Sequence, residues 1–201
     1  MSGANLTREE ARQRAEAIAV QHYDIAIDLT AGAETFGSSS TVSFTATPGT
    51  STFVEFSAAA VDSVVLNGRA LSVADCFDGH RIALPDLLAD NTATIVGTGN
   101  YSNTGEGLHR FVDPVDNEVY LYTQFESADA KRMFACFDQP DLKATYALTV
   151  TAPAHWQVVS NSPTPVPNSL DDGRAIWGFP TTARMSTYIT ALVAGAYHRV
   201  D

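Results

Sequence analysis

Lysine is nearly missing from this chain: Lys131 and Lys143 stand against ten arginines, and the excess of Asp and Glu leaves a formal net charge of −11 over 201 residues. A surface of that sign repels phosphate backbones, so nucleic acid is not an expected partner. Cysteine is equally scarce. Cys76 and Cys136 are far apart and belong to no C-x-x-C pair. Two thiols in a reducing compartment are the expectation, with a bridge between them left open. No apolar run approaches the length of a membrane span. The first residues carry neither the apolar core nor the small-residue cleavage site of a signal peptide. A cytoplasmic protein without a membrane partner is therefore expected.

The catalytic signatures are also missing. His22, His80, His109, His155 and His198 are each followed by Tyr or Arg or Trp, so no H-E-x-x-H occurs and no Cys/His cluster offers a zinc site. There is no G-x-S-x-G elbow and no P-loop. Gly105-Glu106-Gly107 is too short a pattern for phosphate binding and reads as a turn. No catalytic residue and no metal ligand is assigned within the chain.

What is present is apolar patterning. Residues of the apolar classes make up 45% of the sequence, enough for a sizeable core. Thr7 and Glu10 form a capping box with Leu6 placed as a staple, predicting a helix through residue 19. Its expected features are an i, i+4 pair between Glu10 and Arg14 and a thin apolar face of Ala11, Ala15 and Ile18. From residue 21 the period becomes twofold, with Tyr23, Ile25, Ile27 and Leu29 alternating against polar neighbours. Residues 35–47 repeat the pattern, with Val42 and Phe44 inward and the serines and threonines outward.

Asn67-Gly68 marks a hairpin, since both residues tolerate positive φ. Further strands are expected at 52–56, 61–66, 69–73, 81–84, 92–101, 144–151, 156–160 and 174–179. Residues 100–116, rich in Gly, Asn, Asp and Pro, read as a long ordered loop. Residues 187–200, apolar on both faces, read as a central strand. Many short strands separated by turn signals indicate an all-β fold, an antiparallel saddle-like β-sandwich with a short N-terminal helix. The expected organisation is a helical extension over residues 1–19 and a β domain over residues 20–201.

The stretch with the most chemistry is 119–143. Val119, Leu121, Thr123 and Phe125 point one way, and Tyr120, Tyr122, Gln124 and Glu126 the other. Gln124 and Glu126 are thus roughly 7 Å apart on one face by strand rise. On pattern alone, an edge strand with one wet face accounts for this better than a binding site does. A short helical turn is expected near 129–134. Lys131 and Arg132 are expected to pair with local carboxylates, and Asp138 and Asp141, flanking Pro140, to cap a turn.

The same stretch contains Thr123-Gln124-Phe125-Glu126, then Asp129-Ala130-Lys131-Arg132, then Phe134-Ala135-Cys136-Phe137-Asp138-Gln139-Pro140. Together with Gly107-Leu108-His109-Arg110-Phe111, Val159-Ser160-Asn161-Ser162-Pro163 and Met185 to Val193, it resembles the zinc aminopeptidases related to aminopeptidase N, actinobacterial members in particular. The likeness spans about residues 20 to 201, and four ordered motifs make it specific.

The resemblance implies the N-terminal β domain of a zinc metalloaminopeptidase, with the zinc and its H-E-x-x-H in a catalytic domain that follows in the same polypeptide. No cofactor is then expected in this chain. The expected partners are peptide N-termini and that catalytic domain. By resemblance, Glu126 binds the substrate's free α-amino group and Gln124 lines part of the first side-chain pocket. One departure is Gln139, where many relatives carry Glu; that position is expected to serve the fold.

The implied chemistry is physically sound. An α-ammonium with a pKa of about 7.7–8.0 is largely cationic at neutral pH and is drawn to a carboxylate. A carboxylate on a rigid strand fixes how many residues precede the bond to be cut, which favours aminopeptidase over endopeptidase action. An exposed ion pair contributes about 0–1 kcal/mol, whereas millimolar binding requires about 4. The domain alone is expected to bind peptides barely and to hydrolyse none. Two other readings are a stand-alone β-sandwich interaction or carbohydrate-binding module, resting on Tyr120, Tyr122, Trp156 and Trp177, and a truncated paralogue serving as a scaffold.

Overall fold

A computed structural model describes residues 5–200. The chain opens with helix α1 (Arg8–Ala17), which runs directly into strand β1 (Ile18–Asp28). There follow β2 (Thr35–Ala46), β3 (Thr52–Glu55), β4 (Ala58–Leu66), β5 (Arg69–Leu71), the one-turn helix α2 (Val73–Cys76), β6 (Arg81–Leu84) and β7 (Asp90–Asn100). Next come β8 (Gly107–Val112), β9 (Val119–Gln124), β10 (Thr145–Pro153), β11 (Gln157–Ser160), β12 (Asn168–Ser169), β13 (Arg174–Gly178) and β14 (Leu192–Gly195).

The strands make an eight-stranded sheet in the order β12-β13-β10-β1-β2-β7-β4-β5, a four-stranded sheet β11-β14-β9-β8, and the ribbon β3-β6. The fold is all-β with one short N-terminal helix, as expected. One pairing departs from the antiparallel expectation: β1 and β10, separated by most of the chain, lie side by side in parallel. Period-two patterning decides which face a strand buries. It carries no information about the direction of a partner brought in from so far along the chain.

The turn at Asn67-Gly68 forms as predicted, with φ of 52° and 78°, joining β4 to β5. The β1 pattern holds with one adjustment. A register shift between Val20 and His22 places both Val20 and Tyr23 in the core, three residues apart.

Four local expectations are corrected. Residues 100–116 are not a continuous loop, because Gly107–Val112 pairs with β9 from Gly107↔Gln124 to Val112↔Val119. Glycine and proline punctuation at both ends hid this short strand. Residues 187–200 are not one strand: Thr187–Ile189 is a 3-10 turn, and only Leu192–Gly195 is extended, although it is an inner strand of its sheet. The serines of β2 do not all face outward, since Ser38 and Ser40 are buried beside Phe36, Val42 and Phe44. Helix α1 ends at Ala17 and buries Arg14 instead of Ala15, which is exposed.

The core joins all three sheets and centres on aromatic rings. Tyr23 and Tyr146 stack at 5.1 Å, with Phe134 edge-on to both, and Phe137 stands edge-on to Phe44. Phe134 and Phe137 belong to the segment that follows β9. That segment therefore packs against the large sheet's inner face through its own side chains. Trp156 and Trp177 are buried as well, so they pack the interior and offer no platform for a sugar ring. Cys76 and Cys136 are both free thiols. No helix among the described residues is long and apolar enough to cross a membrane.

Candidate functional site

Strand β9 stops at Gln124, and the backbone turns at once. The Gln124 Oε1 accepts the Glu126 amide at 2.7 Å, Phe125 is buried, and Glu126 faces solvent. Gln124 and Glu126 are thus brought together, by a local turn and not by shared strand pleating. The chain is then wound tightly. Asp129 N donates to Phe125 O, and a 3-10 turn, Ala130–Arg132, follows.

Arg132 secures this turn by donating to Asp129 at 2.7 Å and to Glu106, at the head of β8, at 3.2 Å. Its stem lies against Gly107, where φ is +69° and a Cβ would come within 2.9 Å of Arg132 Cδ. A side chain at that position would displace the arginine. The expected local pairing of Arg132 is therefore present.

The floor of the site is the run 133–139, buried without a break. Its backbone polar groups all need partners in the interior. Ser38 donates to Met133 O and Ser40 to Ala135 O, both at 2.8 Å. Glu55 and Cys136 exchange backbone hydrogen bonds, and Phe137 N donates to the Tyr23 hydroxyl. The two inward serines of β2 are thus donors to the segment's carbonyls.

One charged group completes the floor. The Glu55 side chain, 3% exposed, accepts the Asp138 amide at 3.2 Å and receives Arg14 Nη1 at 2.9 and 3.0 Å. Arg14 Nε donates to Gln139 Oε1 at 3.0 Å, and Gln139 Nε2 donates to Ala11 O at 2.9 Å. The guanidinium also lies 5.0 Å from the Phe53 ring centroid and 5.6 Å from that of Phe137.

The expected Glu10–Arg14 pair does not form. Glu10 pairs with Arg81 at 2.6 Å, and that guanidinium holds its carboxyl down at about 2. The Gln139 departure is also explained. Its amide serves a donor on one side and an acceptor on the other, and a carboxylate would satisfy only the first.

Asp138 does cap a turn, the 3-10 turn Ala130–Arg132, through the Lys131 amide, but it does so from the interior. It is buried, accepts from Lys131 N at 3.2 Å and Thr187 Oγ1 at 3.0 Å, and burial pushes its carboxyl up to about 6. Ser186 Oγ donates to Pro140 O close by, so residues 186–187 tie the far end of the segment. These bonds account for the break in the expected strand at 187–200.

Above the floor lies a cleft of about 540 Å³. Glu126, Asp129 and Lys131 line it together with Asn5, Leu6 and Thr7 ahead of α1 and Arg8 and Ala11 within it, and the buried Glu55 and Asp138 lie at the base. Carboxylates outnumber cations around it, which suits a cationic ligand. The Glu126 carboxylate has no partner among the described residues. Gln124 supports Glu126 but does not itself line the cleft. Arg14, Glu55 and the burial of Asp138 were not identified from sequence. The one available signal was a glutamate enclosed by Phe53, Val54 and Phe56.

Among the described residues, no three His, Cys, Asp or Glu side chains form a group that could hold a metal ion. His22 lies against Thr145 and Asp24, and His109 lies against the Tyr122 ring. These residues do not fit a zinc centre.

Residues 19–189 match the family described as the Peptidase M1 N-terminal domain. The chain is 53% identical over its whole length to an aminopeptidase N of Streptomyces lividans, of which it covers 23%. It is 49% identical over 52% of its length to an aminopeptidase N of Acetobacter pasteurianus, covering 30% of that protein. It is 33% identical over 51% of its length to the aminopeptidase N of Bos taurus, covering 11%. The chain therefore spans less than a third of each of these relatives.

Proposed function

The chain belongs to the Peptidase M1 N-terminal domain family, and from that premise we propose that it is the substrate-anchoring domain of a zinc metalloaminopeptidase. The observation that carries this reading is the exposed Glu126 carboxylate, without a partner among the described residues, lining an acidic cleft on a backbone fixed at both ends. Glu126 binds the free α-amino group of the peptide. Gln124 acts on the first side-chain pocket indirectly, by holding the Glu126 amide. Charge attraction and fixed geometry together set how far the first peptide bond lies from the anchor.

The hydrolytic chemistry would come from a zinc ion held by the catalytic domain of the same polypeptide, which would activate water for attack on the peptide bond. This chain's residues bind and orient, and its two free thiols fit a reducing, cytoplasmic setting.

In the full-length enzyme, Glu126→Ala raises KM for aminoacyl p-nitroanilides with a free amine by about tenfold or more, with a smaller effect on kcat. Unchanged kinetics would remove Glu126 from the site. The isolated chain shows no turnover above blank with the same substrates, and metal-dependent hydrolysis by it would overturn this division of labour.

A further inference from the structure

We propose that the N-terminal helix is part of the substrate-anchoring site and that Arg14 is its positioning residue, setting the cleft in which Glu126 works; this rests on the anchoring role given to Glu126 above. Three observations lead there.

First, α1 and the residues leading into it line the cleft, since Asn5, Leu6, Thr7, Arg8 and Ala11 border the same cavity as Glu126 and Asp129. The shape of the cleft therefore depends on how α1 is seated. Second, α1 has little apolar surface with which to seat itself. Its one buried side chain is Arg14, 4% exposed, so polar contacts decide its position. Third, those contacts lead to the site-bearing segment. Arg14 holds the Glu55 carboxylate, which accepts the Asp138 amide, and it also holds Gln139, which returns a bond to Ala11 O. Asp138 in turn accepts Lys131 N, within the 3-10 turn that follows Glu126.

A continuous set of hydrogen bonds thus runs from α1 through Arg14 to residues that line the cleft. A lysine cannot reproduce it. The planar guanidinium serves Glu55 and Gln139 from two differently directed nitrogens, whereas an ammonium is a point charge.

The test is Arg14→Lys in the full-length enzyme, beside Glu126→Ala and the double variant, with alanyl- and leucyl-p-nitroanilide as probes. The expected result for Arg14→Lys is a KM raised about fivefold with kcat within about twofold. Adding it to Glu126→Ala should raise KM by less than about twofold further, because the anchor it positions is already gone. Gln139→Ala keeps the Arg14–Glu55–Asp138 connection and removes only the second tie, from Arg14 and Ala11 to residue 139. It should shift KM in the same direction by less, and it decides the matter if Arg14→Lys fails to fold.

A folded Arg14→Lys with unchanged KM would overturn the proposal while leaving the Glu126 reading intact. So would a loss confined to kcat and thermal stability, or a KM effect that multiplies fully with that of Glu126→Ala. If Glu126→Ala itself leaves KM unchanged, the anchoring role fails first.

Discussion

Glu55 and Glu126 border the same cleft and share the same chemistry, yet the protein uses them in opposite ways. Glu55 is buried, and its carboxylate is committed to Arg14 and the Asp138 amide. Glu126 is exposed and has no partner of its own among the described residues, while its backbone is held by Gln124. A buried carboxylate must be matched within the fold, or it destabilises the fold by several kcal/mol. An exposed one keeps its hydration and stays available to a ligand. The pair contrasts two states of one side chain: charge compensation in the floor and, on the lip, a charge with no partner among the described residues.

The comparison is broken most severely at the floor. Glu55→Ala leaves Arg14 buried without its counter-charge, and a loss of about 3–5 kcal/mol is expected from denaturant unfolding. Replacing both partners together, Arg14→Met with Glu55→Leu, should cost much less, since neither then leaves a buried charge. Equal losses for the single and double changes would show that packing, not charge compensation, holds the floor.

Asp138 comes next. Its pKa rises on folding from the ordinary 3.8 to about 6. A carboxyl shifted upward stabilises the fold fully below the unfolded value, and that contribution is lost as pH rises through about 6. Two units correspond to about 3 kcal/mol. Asp138→Asn can accept from Lys131 N and donate to Thr187, so it should fold and lack this pH-dependent loss. The difference in unfolding free energy between wild type and variant, followed from pH 4 to pH 7, measures it, and parallel curves would remove Asp138 as the source.

Ser40→Ala takes the hydroxyl donor from the buried Ala135 carbonyl and should cost about 1–3 kcal/mol. Faster hydrogen exchange should centre on residues 133–137. Glu126→Ala should change stability by less than about 0.5 kcal/mol, as an exposed residue outside the packed network. A loss there as large as that for Ser40→Ala would erase the distinction between lip and floor.

Several elements were legible in the chain because they depend on neighbours in sequence. The Thr7–Glu10 capping box forms with both of its hydrogen bonds, and Asn67-Gly68 turns the chain with positive φ at both residues. The inward faces of β1 and β10 follow their twofold alternation. The serines of β2 were misread for a physical reason. Residue type predicts that a hydroxyl faces water, but a buried carbonyl from a segment about a hundred residues away offered an equivalent partner. Arg14 was misread likewise. A helical i, i+4 rule paired it with Glu10, yet a buried carboxylate in β3 and the Gln139 amide take Arg14, while the half-buried Glu10 pairs with Arg81. The strand at Gly107–Val112 was hidden because its pairing with β9, not its own composition, makes it extended.

By itself, the sequence determined the all-β class, the capped helix and the turn at Asn67-Gly68. Each of these rests on periodicity, on local dihedral preference or on residues adjacent in the chain. Tertiary structure alone decided the parallel join of β1 to β10, the inward serines, the Arg14–Glu55–Gln139 network and the raised pKa of Asp138. The reason is common to all four. Burial and hydrogen-bond matching are settled between residues far apart in the chain, where one-dimensional pattern carries no information.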